Sequence, residues 1–268
     1  MKKNNLFLVL LVLSLSSCME YSRVLKSTDY EYKYEAAKEY FVNQKYSKSA
    51  PLLEELITVL KGTDKAEESL YMLAMCYYEQ GDYTNSSSYF TTYFTTYPRG
   101  QYSEEARFRS ALALYNDSPE PALDQSVTYE SIQQMQIFID YYPNSKYRKQ
   151  ADAILLDLQN KLVEKEYEAA KLYYDLGNYM GNNYRSCITT AQNAINEYPY
   201  ANARREDLSF LILRAKFDMA KNSVAAKKEQ RFRDTLDEYY SFINEYPETK
   251  YANEVQKIFE TAKKKVKD

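Results

Sequence analysis

Few side chains in this chain of 268 residues are able to do chemistry. No histidine occurs anywhere, which removes histidine-dependent acid–base catalysis, Ser-His triads and nearly every catalytic zinc arrangement. No Gly-x-Gly-x-x-Gly or Walker-type phosphate loop is present. Paired acids such as Glu54-Glu55 and Glu67-Glu68 would form an acid–base couple only if they faced one substrate, but sequence neighbours on a helix point in different directions. Three thiols remain, Cys18, Cys76 and Cys187. An oxidising compartment permits a bridge between the last two. They fall in the second and fourth of the repeats assigned below, however, beyond the ~7 Å Cα separation that a disulfide spans, and both read as small core residues. These residue types therefore predict no enzyme, no cofactor and no metal site.

Cys18 has a different chemistry. Lys2 and Lys3 precede an apolar run, Leu6 to Leu15, that is too short to span a bilayer as a helix, so residues 1–17 read as an export signal peptide. Leu15-Ser16-Ser17-Cys18 resembles the bacterial lipobox, in which the cysteine thiolate takes a diacylglycerol before cleavage just ahead of it. That resemblance implies a mature chain starting at Cys18 with three acyl chains, palmitate among them, where about two lipid signals already anchor stably. The other reading is an ordinary secretory signal with a chance cysteine. Met19 is not aspartate, the residue that retains lipoproteins at the inner membrane of well-studied Gram-negative species, which favours the outer membrane. Residues 18–29 are expected to be a lipidated N-terminus and linker. Without Lys2 and Lys3, 33 basic residues face 38 acidic ones, taking the formal charge from −3 to −5, so nucleic acid is not an expected partner.

The elements that carry these residues read as helices. Only 5 glycines and 7 prolines punctuate the chain, too few for a many-stranded sheet, and the length suits a helical solenoid. Four Tyr-Pro pairs, Tyr97-Pro98, Tyr142-Pro143, Tyr198-Pro199 and Tyr246-Pro247, stand at the ends of helix-patterned stretches, with prolines 45, 56 and 48 residues apart. Proline cannot continue a helix and biases the residue before it away from helical angles, so each pair ends one helix and sets the turn into the next. Counting back from Pro98 gives Phe90, Tyr83, Gly81, Tyr77 and Ala74, which resembles the tetratricopeptide pattern. Gly81-Asp82-Tyr83 is then the turn between helix A and helix B. The same offset finds Tyr46, Tyr184 and Phe232 opening helix B of the first, fourth and fifth repeats, with Tyr129 one place off in the third. The first repeat has no Tyr-Pro, and Leu60-Lys61-Gly62 stands there as a left-handed cap.

The expected fold is thus all-α, a tetratricopeptide-repeat superhelix of about five helix-turn-helix repeats plus a C-terminal capping helix. Repeats 1–2 take residues 30–103, repeats 3–5 residues 104–250 and the capping helix residues 251–268. Three repeats carry insertions in their A-to-B turns, clearest at Asp117-Ser118-Pro119-Glu120-Pro121, which predicts surface loops at 117–125 and 222–229. Lys149 to Leu176, without proline or glycine, reads as one helix of roughly 40 Å. Val255, Ile258, Phe259 and Ala262 give the last helix an apolar face, and Lys263-Lys264-Lys265 beyond them reads as a solvated tail favourable to the helix dipole.

Thirty tyrosines are the strongest oddity of composition. Helix A of the first repeat puts Tyr34, Lys38 and Phe41 on one face, and that of the second puts Tyr71, Met75 and Tyr78 on one face, both at i, i+4, i+7. In tetratricopeptide proteins that face lines a concave groove, where tyrosine offers a large contact area for an extended, aromatic-bearing peptide. Ordinary packing between repeats is the alternative.

Beyond the repeat pattern, Tyr102-Ser103-Glu104-Glu105-Ala106, Tyr142-Pro143-Asn144-Ser145-Lys146-Tyr147, and Leu162 with Lys165-Glu166-Tyr167-Glu168 leading to Tyr173-Tyr174 resemble the BamD family, along the whole mature chain. That family's members are lipoproteins of the machinery that inserts β-barrel proteins into the outer membrane. The resemblance implies a scaffold on the periplasmic face whose N-terminal repeats meet unfolded outer-membrane proteins and whose C-terminal repeats dock the barrel-forming partner BamA. It also implies that an arginine in the pattern Tyr-Pro-x-x-x-Ala-x-Arg helps hold BamA's periplasmic domain. Here the pattern falls on Tyr198-Pro199, Ala203 and Arg205, and Arg204 beside it is expected to share the contact with BamA. The other reading of Arg205 is a cap or solvated charge on the helix starting near Glu206. Two further functions stay open: a tetratricopeptide lipoprotein coordinating cell-envelope synthesis, and a helical glycan-capture lipoprotein, against which the absence of tryptophan counts.

Overall fold

In the computed structural model, residues 19–267 are described, and every regular element among them is an α-helix. Residues 19–26 form α1, followed by α2 (Tyr30–Val42), α3 (Tyr46–Val59), α4 (Asp64–Glu79), α5 (Tyr83–Thr96), α6 (Ser103–Asp117), α7 (Ser126–Tyr141), α8 (Arg148–Leu176), α9 (Asn183–Glu197), α10 (Arg205–Lys221), α11 (Ala225–Glu245) and α12 (Ala252–Lys263). From α2 to α11 these are five successive pairs of A and B helices of tetratricopeptide type, and α12 closes the series. The signal peptide and Cys18 lie outside the described residues.

Local chemistry sets the ends. Asp29, Thr63 and Asp82 cap α2, α4 and α5, their side chains accepting the backbone N–H of Tyr32 (3.0 Å), Ala66 (3.3 Å) and Asn85 (3.2 Å). At the B-helix ends, Tyr97, Tyr142, Tyr198 and Tyr246 each give their N–H to the carbonyl four residues back, at 2.8, 2.9, 3.2 and 2.8 Å. The proline that follows has no N–H to give, and the helix stops. After the first repeat Gly62 takes φ +88°, the left-handed turn expected there.

The chain divides into two compact units. One holds the described residues up to Ser118 with Ser126–Ala151, and the other holds Pro119–Gln125 with the chain from Asp152 onward. The core of the first runs from Leu52, Leu53, Leu56 and Leu73 to Phe90, Tyr93 and Ala106, and Phe108 meets Phe138 beyond that. In the second unit, Phe210, Leu213, Phe242, Val255 and Ile258 form one cluster and Ala220, Phe232 and Ala262 another, so the apolar face of α12 covers the fifth repeat. Cys76 and Cys187 are buried free thiols in different units, each pushed up to about 12 by burial.

Three expectations need adjustment. Residues 19–26, read as linker, are helical, because Tyr21 and Val24, one turn apart, bury themselves on the otherwise uncovered end of the first repeat. The fifth repeat's loop is not 222–229: α11 begins at Ala225, and the strong helix formers Ala225-Ala226-Lys227-Lys228-Glu229 lengthen the helix instead. Phe232 therefore does not open α11 but sits about two turns inside it, buried against Phe217. In the third repeat Thr128 holds the register place, fully buried, and Tyr129 is half exposed beside it. The long helix is observed at Arg148–Leu176, 29 residues.

Candidate partner-binding surfaces

The six groove residues lie on the A helices of the first unit, and the first thing the structure gives them is internal partners. Tyr34 on α2 is buried and donates its hydroxyl to Glu68 on α4, whose other carboxylate oxygen takes Lys38 at 2.7 Å. Tyr71 on α4 is tied in the same way to Glu105 on α6, which pairs with Arg109 at 2.7 Å. Tyr34 to Tyr71 and Glu68 to Glu105 are the same 37-residue step, so one A helix is tied to the next by a repeated tyrosine–carboxylate bond. Burial pushes the Glu68 and Glu105 carboxyls up, but the hydrogen bonds from Lys38 and Tyr34, and from Arg109 and Tyr71, outweigh it and hold both below the usual carboxylate value. Burial, reinforced by Glu68, pushes the Tyr34 phenol up to about 12.

Phe41 meets Tyr46 edge-on at 5.8 Å, and Met75 packs on the Phe90–Tyr93 core. Tyr78 touches the edge of Tyr83 and accepts from Asn116 at 2.9 Å. Tyr34 is buried, and Phe41, Tyr71, Met75 and Tyr78 remain partly accessible. The acidic pairs are likewise spent separately: Glu54 accepts from Tyr77, Glu55 from Lys33 at 2.6 Å, and Glu67 from Tyr93 at 2.6 Å. Among the described residues no group of three or more Cys, Asp or Glu side chains could hold a metal ion.

The turns between repeats repeat a second device. At three of the four Tyr-Pro turns the residue four past the proline folds its ring onto the preceding A helix, Tyr102 on Tyr71 (4.2 Å between centroids), Tyr147 on Phe108 (4.5 Å) and Tyr251 on Phe210 (3.8 Å). A glutamate near the start of that A helix ties down the same turn. Glu67 takes the N–H of Gln101 (3.2 Å), Glu104 the hydroxyl of Ser145 (2.5 Å), and Glu206 the hydroxyl of Thr249 (2.6 Å) and the N–H of Lys250 (3.2 Å). Stacked rings of this kind add about 0.5 to 1.5 kcal/mol beyond their area.

The fourth turn departs from this plan. Ala203 stands where the ring should be, and Tyr200, directly after the Tyr-Pro, is 80% exposed. Arg204 fills the joint with charge instead. Its guanidinium makes a bidentate pair with Glu164 (2.7 and 2.8 Å), reaches Asp207 at 2.9 Å and lies 4.6 Å from the Tyr167 ring centre. Asp207, buried, also takes Tyr251 at 2.6 Å and an ion pair from Lys250. Arg204 is thus committed to holding α8 and α10 together.

Arg205, the first residue of α10, is held far more loosely. Its Nη1 sits 3.4 Å from the carbonyls of Ile195 and Pro199, and its Nε 3.6 Å from the half-exposed Glu245. The charge is therefore turned from the start of its own helix toward the carbonyl end of α9, where a cation is favoured. Sequence reasoning missed the two ladder carboxylates and Tyr200. The 37-residue step and the missing ring at Ala203 were the signals available.

A family model described as "YfiO: Outer membrane lipoprotein" matches residues 27–230, which covers the six groove residues and the turns after the second, third and fourth repeats. No curated protein matches the chain. No described helix is long and apolar enough to cross a membrane.

Proposed function

We propose that this chain, which belongs to the YfiO family of outer membrane lipoproteins, the family that includes BamD, is a non-enzymatic scaffold subunit of the β-barrel assembly machinery. It is held to the periplasmic face of the outer membrane by lipid on Cys18. Its fourth joint docks the periplasmic domain of a BamA-type barrel protein, and the A-helix face of its first two repeats meets unfolded outer-membrane proteins.

The observation that carries the docking half is the fourth turn itself. Where three turns close on their own stacked ring, this one leaves Tyr200 in solvent and Arg205 with long, weak bonds. Exposed tyrosine and arginine are the residue types that dominate protein interfaces. A partner carboxylate would give Arg205 the short, charge-assisted bond it lacks here. Removing one partner of a desolvated charge pair costs roughly 2 to 5 kcal/mol, so Arg205→Glu is expected to weaken binding to the purified periplasmic domain by at least about thirtyfold. Affinity unchanged in that variant would remove Arg205 from the interface. Arg204→Ala serves as the contrast: its effect should appear first as lost thermal stability, because its bonds are internal.

A further inference from the structure

The first repeat has an N-terminal cover where a free tether was expected. In α1, Val24 is 2% exposed inside the first repeat's core, and the Tyr21 ring meets Tyr40 edge-on at 5.6 Å, with Lys48 lying 5.4 and 5.7 Å from the two rings. Tyr21 is three residues from Cys18. Three residues reach at most ~11 Å even fully extended. The headgroup layer on each side of a bilayer is itself roughly 5 to 8 Å thick. A lipid on Cys18 therefore cannot leave the first repeat hanging free in the periplasm; the distance is used up in crossing the headgroups.

What the first repeat presents beside that attachment point is a set of exposed apolar side chains among charged ones, Glu20, Glu39 and Lys45 included. Met19 is 72% exposed and Val42, at the end of α2, is 71% exposed; Leu25 is exposed as well. Val42 lines one hollow with Glu20, Val24 and Lys45, which puts it beside α1. Arg23 and Lys26 on α1 point into solvent, as headgroup-facing cations do. Neither Met19 nor Val42 is needed for the internal packing of the repeat.

We propose that α1 and the end of α2 form a membrane-apposed surface, with Met19 and Val42 resting among phospholipid headgroups and the first repeat held against the bilayer by a docked helix. This rests on lipidation of Cys18 as proposed above. The consequence is geometric. The substrate-facing A helices begin at the lipid surface, and the molecule cannot swing the first repeat away from it without undocking α1.

The test uses the full lipidated chain in vesicles of phosphatidylethanolamine and phosphatidylglycerol. Val42→Cys is labelled with a polyethylene-glycol maleimide, with Val224→Cys, at a 66% exposed position in the α10–α11 turn, as the reference site. The buried Cys76 and Cys187 do not compete. Val42→Cys is expected to react about tenfold more slowly than Val224→Cys, and a flexible glycine-serine spacer inserted after Met19 is expected to restore its rate. Equal rates with the native tether, in a chain that incorporates labelled palmitate, overturn the inference alone. A chain that incorporates no palmitate overturns the lipid anchor and this inference with it.

Discussion

Tyr34 shows why thirty tyrosines suit such a chain. Its ring supplies core area and its hydroxyl reaches across to Glu68 on the next A helix, so one side chain serves both packing and register. Tyr34→Phe keeps the ring and deletes that bond. It is expected to cost about 1 kcal/mol, a shift of roughly 2 to 4 °C in the thermal midpoint, because a bond to a carboxylate contributes somewhat more than a neutral one but Glu68 is partly solvated. An unchanged midpoint would mean that the tyrosine–carboxylate tie carries no stability. The carboxylates set the pH dependence. Glu68, Glu105 and Asp207 all lie below their ordinary values of 4.5, 4.5 and 3.8 in the folded chain. A lowered folded value means stability that is fully present above the ordinary value and is lost as the pH falls through the lowered one. The thermal midpoint is thus expected to hold flat from neutral pH to about 5 and to fall below about 4, and Glu68→Gln should flatten part of that fall.

At the level of elements, stacked turns fasten the C-terminal ends of the second, third and fifth repeats. Phe210→Ala removes the ring under Tyr251 and a buried member of the last cluster, and is expected to destabilise by about 3 to 5 kcal/mol. Hydrogen exchange should locate the loss in α12 and its turn, whereas uniform loss across both units would contradict a local fastening role. These turns also show what the sequence could and could not tell. The Tyr-Pro pairs marked every B-helix end after the first, since proline acts through its own missing N–H, a purely local cause. The long α8 was legible for the same reason, from the absence of breakers between Lys149 and Leu176. The fifth repeat's loop was misjudged because the fixed offset put the start of helix B at Phe232, while Ala225 to Glu229 prefer helix. The α1 cover was missed since its two inward residues, Tyr21 and Val24, are too few to show a period. Partner choices such as Tyr71 with Glu105 depend on tertiary contact, and no local pattern announces them.

At the scale of the whole molecule, two compact helical units are joined within one chain that belongs to an outer membrane lipoprotein family. The first unit offers A helices whose tyrosines are internally tied, Tyr34 buried and Tyr71 and Tyr78 half buried, and the second offers one joint left open, at Tyr200 and Arg205. The proposed role is to hold other proteins at these two surfaces. The partner proposed for it is a barrel-forming assembly protein. The most direct measurement is affinity purification of a C-terminally tagged copy from its own membranes in mild detergent, followed by mass spectrometry of what stays bound. The proposed function predicts a BamA-like outer-membrane barrel protein with a periplasmic domain, recovered at near-equal amount. A nutrient transporter or a cell-wall synthase in its place would contradict it, while leaving the helical repeats and their joints as they stand.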